Sequence, residues 1–458
     1  MDSMNSIRSE IEDHLASNGY TLTTFGHLSG MNRGTLSAIL HASPPKPIAI
    51  RQLDVITEAL GYPEGWFYHL YLSECFANEK VSRRRLESYL IRSAELNKLD
   101  CIKAAISRLV DNPKHIHIIF DIGEKLYALG HITESALFHE AAAELEKYNH
   151  SERLAISQYR LFMAHQGPHV EENWKAVIRF ESFRLRLPEN YQLDALLRLA
   201  IVCFALSKWK EVEKYADELR MLAQAIYREQ LKRLKQNRPF EILHTERHFV
   251  VYYGQGYLLK AGALGKQGYY EDGKKFVLGY ADLGWFHELD EVGTSEVKKF
   301  SLWAKANLYT FDMMMGKYDI LMDYTDFLDE HPQELLPALV TIVECANKYD
   351  FQIDWVLEKY AEQITRFDTS GNIINYGLFY SYCYQIAIYH LNQLEYIKGI
   401  SFTLQALNLA ITIRSDKDFI QCVTLFEAYR PHSTEVLRNE YHSLMNQMRK
   451  SEENLCYL

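Results

Sequence analysis

Apolar residues return every three or four positions along almost the whole chain, the period of a helix with one buried stripe. The first stripe is Ile7, Ile11 and Leu15, which predicts a helix closed by Asn18 and Gly19. In the next stretch, TLTTFGHLSGMNRGTLSAILH, Thr21 is placed to cap a short helix that buries Phe25 and Leu28. Gly30 supplies a sharp turn, because a residue without Cβ takes up a left-handed backbone at little cost. Asn32 then caps a second helix, from about Arg33 to His41, with Leu36, Ile39 and Leu40 inward. The segment SPPKP cannot continue a helix and is read as a loop. A fourth helix follows with Leu53, Ile56 and Leu60 inward, then a break at Gly61-Tyr62-Pro63. Trp66, Phe67, Leu70 and Tyr71 are expected on a fifth helix that closes a small core.

Leu86, Leu90 and Ile91 predict a connecting helix within residues 77–98, studded with Lys80, Arg83, Arg84, Arg85 and Arg92. That basic run is either a phosphate contact or a solvated helix face. From residue 99 to residue 458 one template recurs: a turn at a small or polar residue, then an amphipathic helix. It appears as GHITESALFHEAAAEL, SKWKEVEKYADEL, GYYEDGKKFVLGYADL, GKYDILMDYTDFL and NQLEYIKGISFTLQAL. The turn residues are Gly130, Gly167, Ser207, Gly268, Gly316 and Asn392, and most intervals suit one or two hairpins of roughly 35–40 residues. The segment YREQLKRLKQNRPFE reads as a long helix end and a loop at Asn237 to Pro239. The expected fold is therefore all-α: a five-helix head over residues 1–76, the connecting helix, and a stack of helical hairpins.

Composition sharpens this in three ways. Only 22 glycines and 11 prolines in 458 residues suit a mostly helical chain. A formal net charge of -10 excludes a uniformly basic nucleic-acid binder but not a local basic patch. The seven cysteines are scattered without a CxxC pair, so reduced buried thiols are expected, not a disulfide framework or zinc knuckle. The polar, acidic N-terminus is no signal peptide, and no apolar run reaches 18 residues, so a cytoplasmic protein without membrane contact is expected.

The residues Phe25-Gly26, Gly30 and Asn32-Arg33-Gly34-Thr35-Leu36-Ser37, with IRQLDVITEALG after them, resemble the phage-repressor, or XRE-type, helix-turn-helix. The later hairpins resemble tetratricopeptide repeats. The joined head and array is similar in architecture to the peptide-pheromone receptors of Gram-positive bacteria. The resemblance implies a homodimeric regulator used in quorum sensing, with double-stranded DNA and a short signalling peptide, or a protein, as partners.

A recognition helix sets its N-terminal residues against base edges in the major groove. Arg33 is the first candidate, since a guanidinium pairs bidentately with guanine. Asn32, Gly34, Thr35, Ser37, Ala38 and His41 lie on or beside the same side, and Lys46 and Arg51 flank the proline-rich loop, which the resemblance implies touches the DNA backbone. Residues 1–61 of the head are nevertheless slightly acidic: Arg8, Arg33, Lys46 and Arg51 stand against Asp2, Glu10, Glu12, Asp13, Asp54 and Glu58. An adaptor or sequestering protein with a head that does not bind DNA is the alternative. The first helices of the hairpins are rich in Tyr, Phe, Trp and Asn, as in HFVVYYGQGYLL, FSLWAKANLYTF and NYGLFYSYCYQIAIY. Tyr253, Tyr257, Asn307, Asn347, Asn375 and Tyr380 are the candidate peptide contacts, because tyrosine joins apolar area to a polar tip and an amide both donates and accepts. Packing between helices is the alternative role for those aromatic residues.

No catalytic set is legible. HTERH lacks the glutamate that a zinc-protease helix needs directly after its first histidine, and GQG lacks the third glycine and the strand of a dinucleotide loop. No metal or cofactor is expected.

Overall fold

Ile7, Ile11 and Leu15 are all buried, and α1 (Ile7–Ser17) lays them on one stripe after Ser6 caps its first turn. In the computed structural model the residues described are 6–77, 80–149, 151–167, 169–240, 243–287, 289–365 and 373–455. The fold is all-α. Apart from 3-10 turns, the other described regular structure is one antiparallel pairing of Phe76–Ala77 with Lys80–Val81.

The chain divides into two units. The first holds the described part of Met1–Leu206 with Leu243–Thr245. After α1 it contains α2 (Leu22–Ser29), α3 (Arg33–Leu40), α4 (Ile50–Ala59), α5 (Tyr68–Tyr71), α6 (Arg83–Glu95) and α7 (Leu99–Val110). It continues through α8 (Ile116–Ala128), α9 (Ile132–Leu145), α10 (Glu152–Ala164), α11 (Val170–Glu181) and α12 (Glu189–Ala205). One apolar cluster runs without a break from Ile7 in α1 to Ala142 in α9. Tyr68, Tyr71, Leu86, Tyr89 and Ile102 are fully buried at its centre. The Tyr89 hydroxyl donates to the Tyr68 carbonyl at 3.0 Å, and Arg85 Nε donates to the Glu74 carbonyl at 2.8 Å. The connecting helix is thus bonded to the head along its length.

Three expectations for the head need correction. Leu28 is 53% exposed, not buried. The two turns of α2 bury Phe25 and Gly26, so its inward side runs 22, 25, 26, 29 and leaves Leu28 outside. The fifth helix is only one turn, because Gly65 (φ +73°) interrupts the chain just before it. Burial there falls on Phe67, Tyr68 and Tyr71, while Trp66 is 49% exposed and stacks on Tyr62. Leu60 is half-buried at the end of α4.

The second unit contains α13 (Trp209–Lys235), α14 (Phe249–Lys266), α15 (Tyr270–Val277), α16 (Glu291–Met314), α17 (Leu321–Glu330) and α18 (Leu335–Tyr349). It ends with α19 (Asp354–Lys359), α20 (Ala361–Thr365), α21 (Ile373–Asn392), α22 (Tyr396–Ile413), α23 (Asp416–Tyr429) and α24 (Glu435–Leu455). In both units successive helices pack on one another: α8 on α9, α9 on α10, α13 on α14, α14 on α15, α21 on α22. Left-handed residues punctuate the helix ends at Gly130, Ser207, Gly268 and Gly316, where the sequence placed turns. At the last hairpin the left-handed residue is Leu394, and Asn392 still belongs to α21. Gly167 takes no left-handed backbone; the Asn173 side chain holds its N–H and its carbonyl instead. The helix expected after Gly268 stops at Val277, and the long helix end at Lys235 stands as expected.

The glycines of GQG do packing work. A Cβ on Gly254 would meet the Phe300 ring, and one on Gly256 would meet the backbone of Arg220 in α13 at 3.0 Å. Cys75, Cys203, Cys345, Cys383 and Cys422 are buried, and none of the described cysteines is in a disulfide; Cys456 lies outside the described residues. No described helix is long and apolar enough to cross a membrane.

Candidate nucleic-acid interface

Thr21 and Thr24 form a reciprocal cap on α2, each side chain taking the other's backbone N–H. Gly30 closes α2 with φ +66°. Asn32 Oδ1 accepts from the Gly34 N–H at 2.7 Å and starts α3. Between them Gly26 lets the turn approach: a Cβ there would lie 2.8 Å from the Met31 carbonyl oxygen. Gly26→Val is therefore expected to destabilise the head by roughly 2–3 kcal/mol through overpacking, and thermal melting of the full chain measures it.

Leu36, Ile39 and Leu40 pin α3 to the core. The opposite side of α3 is turned outward, and the other candidate positions flank it. Asn32, Arg33, Gly34, His41, Lys46 and Arg51 are exposed, and Thr35, Ser37 and Ala38 are partly exposed. Positions 33, 34, 37, 38 and 41 share one helical face. The Arg33 side chain enters none of the described hydrogen bonds or ion pairs.

Arg8 stands apart from the other cations of the head. Its guanidinium binds both carboxylate oxygens of Glu74, at 2.5 and 3.1 Å, and donates to the carbonyls of Ile39 and Lys46. Glu74 also accepts from the Ile48 N–H at 3.0 Å, and the Lys46 N–H donates to the Ala38 carbonyl at 2.9 Å. The pair therefore ties the end of α3 to the proline-rich loop. Its side chains are only 18% and 8% exposed, so Arg8 is structural. His41 Nε2 lies 3.2 Å from the Glu12 carboxylate, which places an anion beside the end of α3. The basic run of α6 is mostly engaged as well. Arg83 pairs with Glu87 and Asp121, Arg92 with Glu64, Glu95 and Asp54, and Arg84 stays exposed.

The candidate peptide contacts lie in the second unit, in different settings. Tyr253 and Tyr257 are half-buried neighbours with ring centroids 5.7 Å apart, and Gln224 donates to the Tyr257 hydroxyl at 2.7 Å. Asn307 Nδ2 donates to the Tyr280 hydroxyl at 2.8 Å. Asn347 Nδ2 donates to the backbone carbonyl of Gln385 at 2.9 Å, while its Oδ1 is buried without a bond. Tyr380 is 6% exposed, so its ring packs in the core. Asn375 sits on α21, and its side chain is outside the described residues. HTERH is not helical, so its histidines share no helix face, and His248 Nδ1 accepts the Val250 N–H as a cap of α14.

One polar cluster lies within the first unit, apart from both sets of candidate residues. Glu124 in α8 receives Arg160 of α10 bidentately, at 2.7 and 2.9 Å, and the Tyr191 hydroxyl of α12 at 3.2 Å. His139 of α9, fully buried, lies 3.4 Å away. These residues are drawn from four helices, and no local spacing could announce them. Burial pushes the Glu124 carboxyl up, but Arg160 and His139 outweigh it and hold the group down at about 2. Burial likewise depresses His139, against the opposing pull of Glu124.

No family model matches the chain, and neither does any curated protein. The functional reading therefore stands on the residues themselves.

Proposed function

We propose that this chain is a cytoplasmic DNA-binding transcription regulator of the XRE helix-turn-helix type, acting as a homodimer. Its tetratricopeptide-like array senses a short peptide or a protein. The observation that carries the reading is α3, anchored by Leu36, Ile39 and Leu40, with Arg33 outward at its N-terminal end. A ligand in the array changes DNA affinity only by binding one arrangement of the chain better than another.

The charge balance sets the terms of the test. With Arg8 consumed by Glu74, the outward cations of the head are Arg33, Lys46 and Arg51. Few phosphates are then neutralised per head, so binding should be weak for one head, steeply salt-dependent for two, and best measured at low salt. Gel-shift on DNA from around its own gene is the experiment. Arg33→Ala is expected to weaken binding by roughly 5- to 150-fold, the loss of one bidentate base contact. Absence of any shift at low salt, with and without peptides from the producing cells, overturns the reading.

The acidic head favours the second reading, an adaptor or sequestering protein. Its mark is a stoichiometric protein partner whose binding is indifferent to Arg33→Ala.

A further inference from the structure

His41 closes the outward face of α3, and its Nε2 lies 3.2 Å from a carboxylate oxygen of Glu12 on α1. The two helices meet along one side of α1. One turn before Glu12, Arg8 Nε donates to the Ile39 carbonyl at 2.8 Å. The two contacts differ in kind. The Arg8–Glu74 pair is largely shielded from water, whereas the His41 side chain is 53% exposed and that of Glu12 43%. A pair so open to water contributes little to stability. Nor does α3 favour an anion at this point, since its C-terminal end carries the negative pole of the helix dipole.

The contact matters more for what the face can bind. A DNA phosphate and a carboxylate are both anionic acceptors, and both compete for the same imidazole N–H. In the free chain Glu12 stands at Nε2 of His41. Its charge counts whichever form the ring takes. With a neutral ring the pair is anionic and repels a phosphate; with an imidazolium it is neutral, and the cation is cancelled. Either way the end of α3 is one charge less favourable to DNA than it would be without the carboxylate. Set against Arg33, Lys46 and Arg51, the outward cations of the head, one charge is a large share.

We infer that Glu12 is an internal competitor for a DNA phosphate: it holds His41 in the free head and restrains the affinity of α3 for the duplex. The inference rests on the DNA half of the proposed function and adds a brake to it.

The test is gel-shift of the full-length chain at several salt concentrations, on the duplex used for Arg33→Ala. Glu12→Gln keeps the side-chain volume and removes the charge. It is expected to tighten binding roughly three- to tenfold. The salt slope should steepen by about one per head, because His41 is released to a phosphate. His41→Ala should cost more affinity in the Glu12→Gln chain than in the unaltered one, the mark of two coupled residues. Asp13 is exposed and turned about 100° round α1 from Glu12. Asp13→Asn should change binding by less than about twofold. A gain from Asp13→Asn equal to that from Glu12→Gln would mean general repulsion and overturn the inference. So would a Glu12→Gln gain that survives His41→Ala undiminished. If the unaltered chain shifts the DNA and Glu12→Gln shifts it no better, the inference falls and the DNA reading stands. No shift by any of these chains at low salt overturns both.

Discussion

Arg160→Leu is expected to cost about 3–5 kcal/mol of stability, because it leaves the Glu124 carboxylate inside the first unit without its counter-charge. Arg160 is 11% exposed and Glu124 23%, so water offers little compensation. The guanidinium also lies 3.8 Å from the Tyr127 ring centroid, a contact that leucine cannot replace. Arg160→Leu with Glu124→Gln should recover much of the loss, since no unpaired charge remains. Urea denaturation of the single and double variants measures both. A single-variant loss below about 1 kcal/mol would show that the pair behaves as a surface ion pair.

The same cluster sets an acid response with a definite sign. Glu124 is depressed to about 2 in the fold, so its stabilisation is complete above the ordinary carboxylate range and is lost as pH falls towards 2. The full contribution is about 3 kcal/mol. His139 is also depressed, so the fold favours its neutral form, and that stabilisation fades as pH falls below the ordinary histidine range, about 6.5. Acid titration of the native chain should therefore show two stages of weakening. Arg160→Leu should shrink or abolish the second, because a Glu124 carboxyl no longer held down by the guanidinium has little acid-dependent stabilisation left to lose.

Arg8→Ala is the second large effect, an expected loss of roughly 2–3 kcal/mol. It breaks both bonds to Glu74 and frees the carbonyls of Ile39 and Lys46. DNA affinity should fall with it, because the end of α3 loosens from the loop. The salt dependence tells this apart from a lost phosphate contact. Removing a phosphate contact lowers the salt slope by about one, whereas loosening the scaffold leaves the slope of the remaining binding unchanged.

Arg8 also shows where sequence reasoning stops. Counted along the chain, it was one of four head cations. Its partner lies 66 residues away, and nothing local marks the pair. The tyrosines teach the same lesson. Their abundance was plain, but the hydroxyl of Tyr71 goes to the Ile48 carbonyl and that of Tyr360 to the Thr325 carbonyl, so many of the rings serve as core that is also hydrogen-bonded. Leu28 and Trp66 face outward, against their apolar character, because one or two turns of helix carry too few apolar positions to define a face.

The sequence alone determined the all-α class, the caps at Thr21 and Asn32, the turn at Gly30 and the inward side of α3. Each depends on residues within one or two helical turns, where backbone geometry ties spacing directly to direction. Tertiary structure alone decided that the core runs unbroken from α1 to α9, that Arg8 belongs to Glu74, and that Glu124, His139, Arg160 and Tyr191 meet. Such contacts join residues tens of positions apart, and they arise only when whole helices dock, a choice that no single turn of chain encodes.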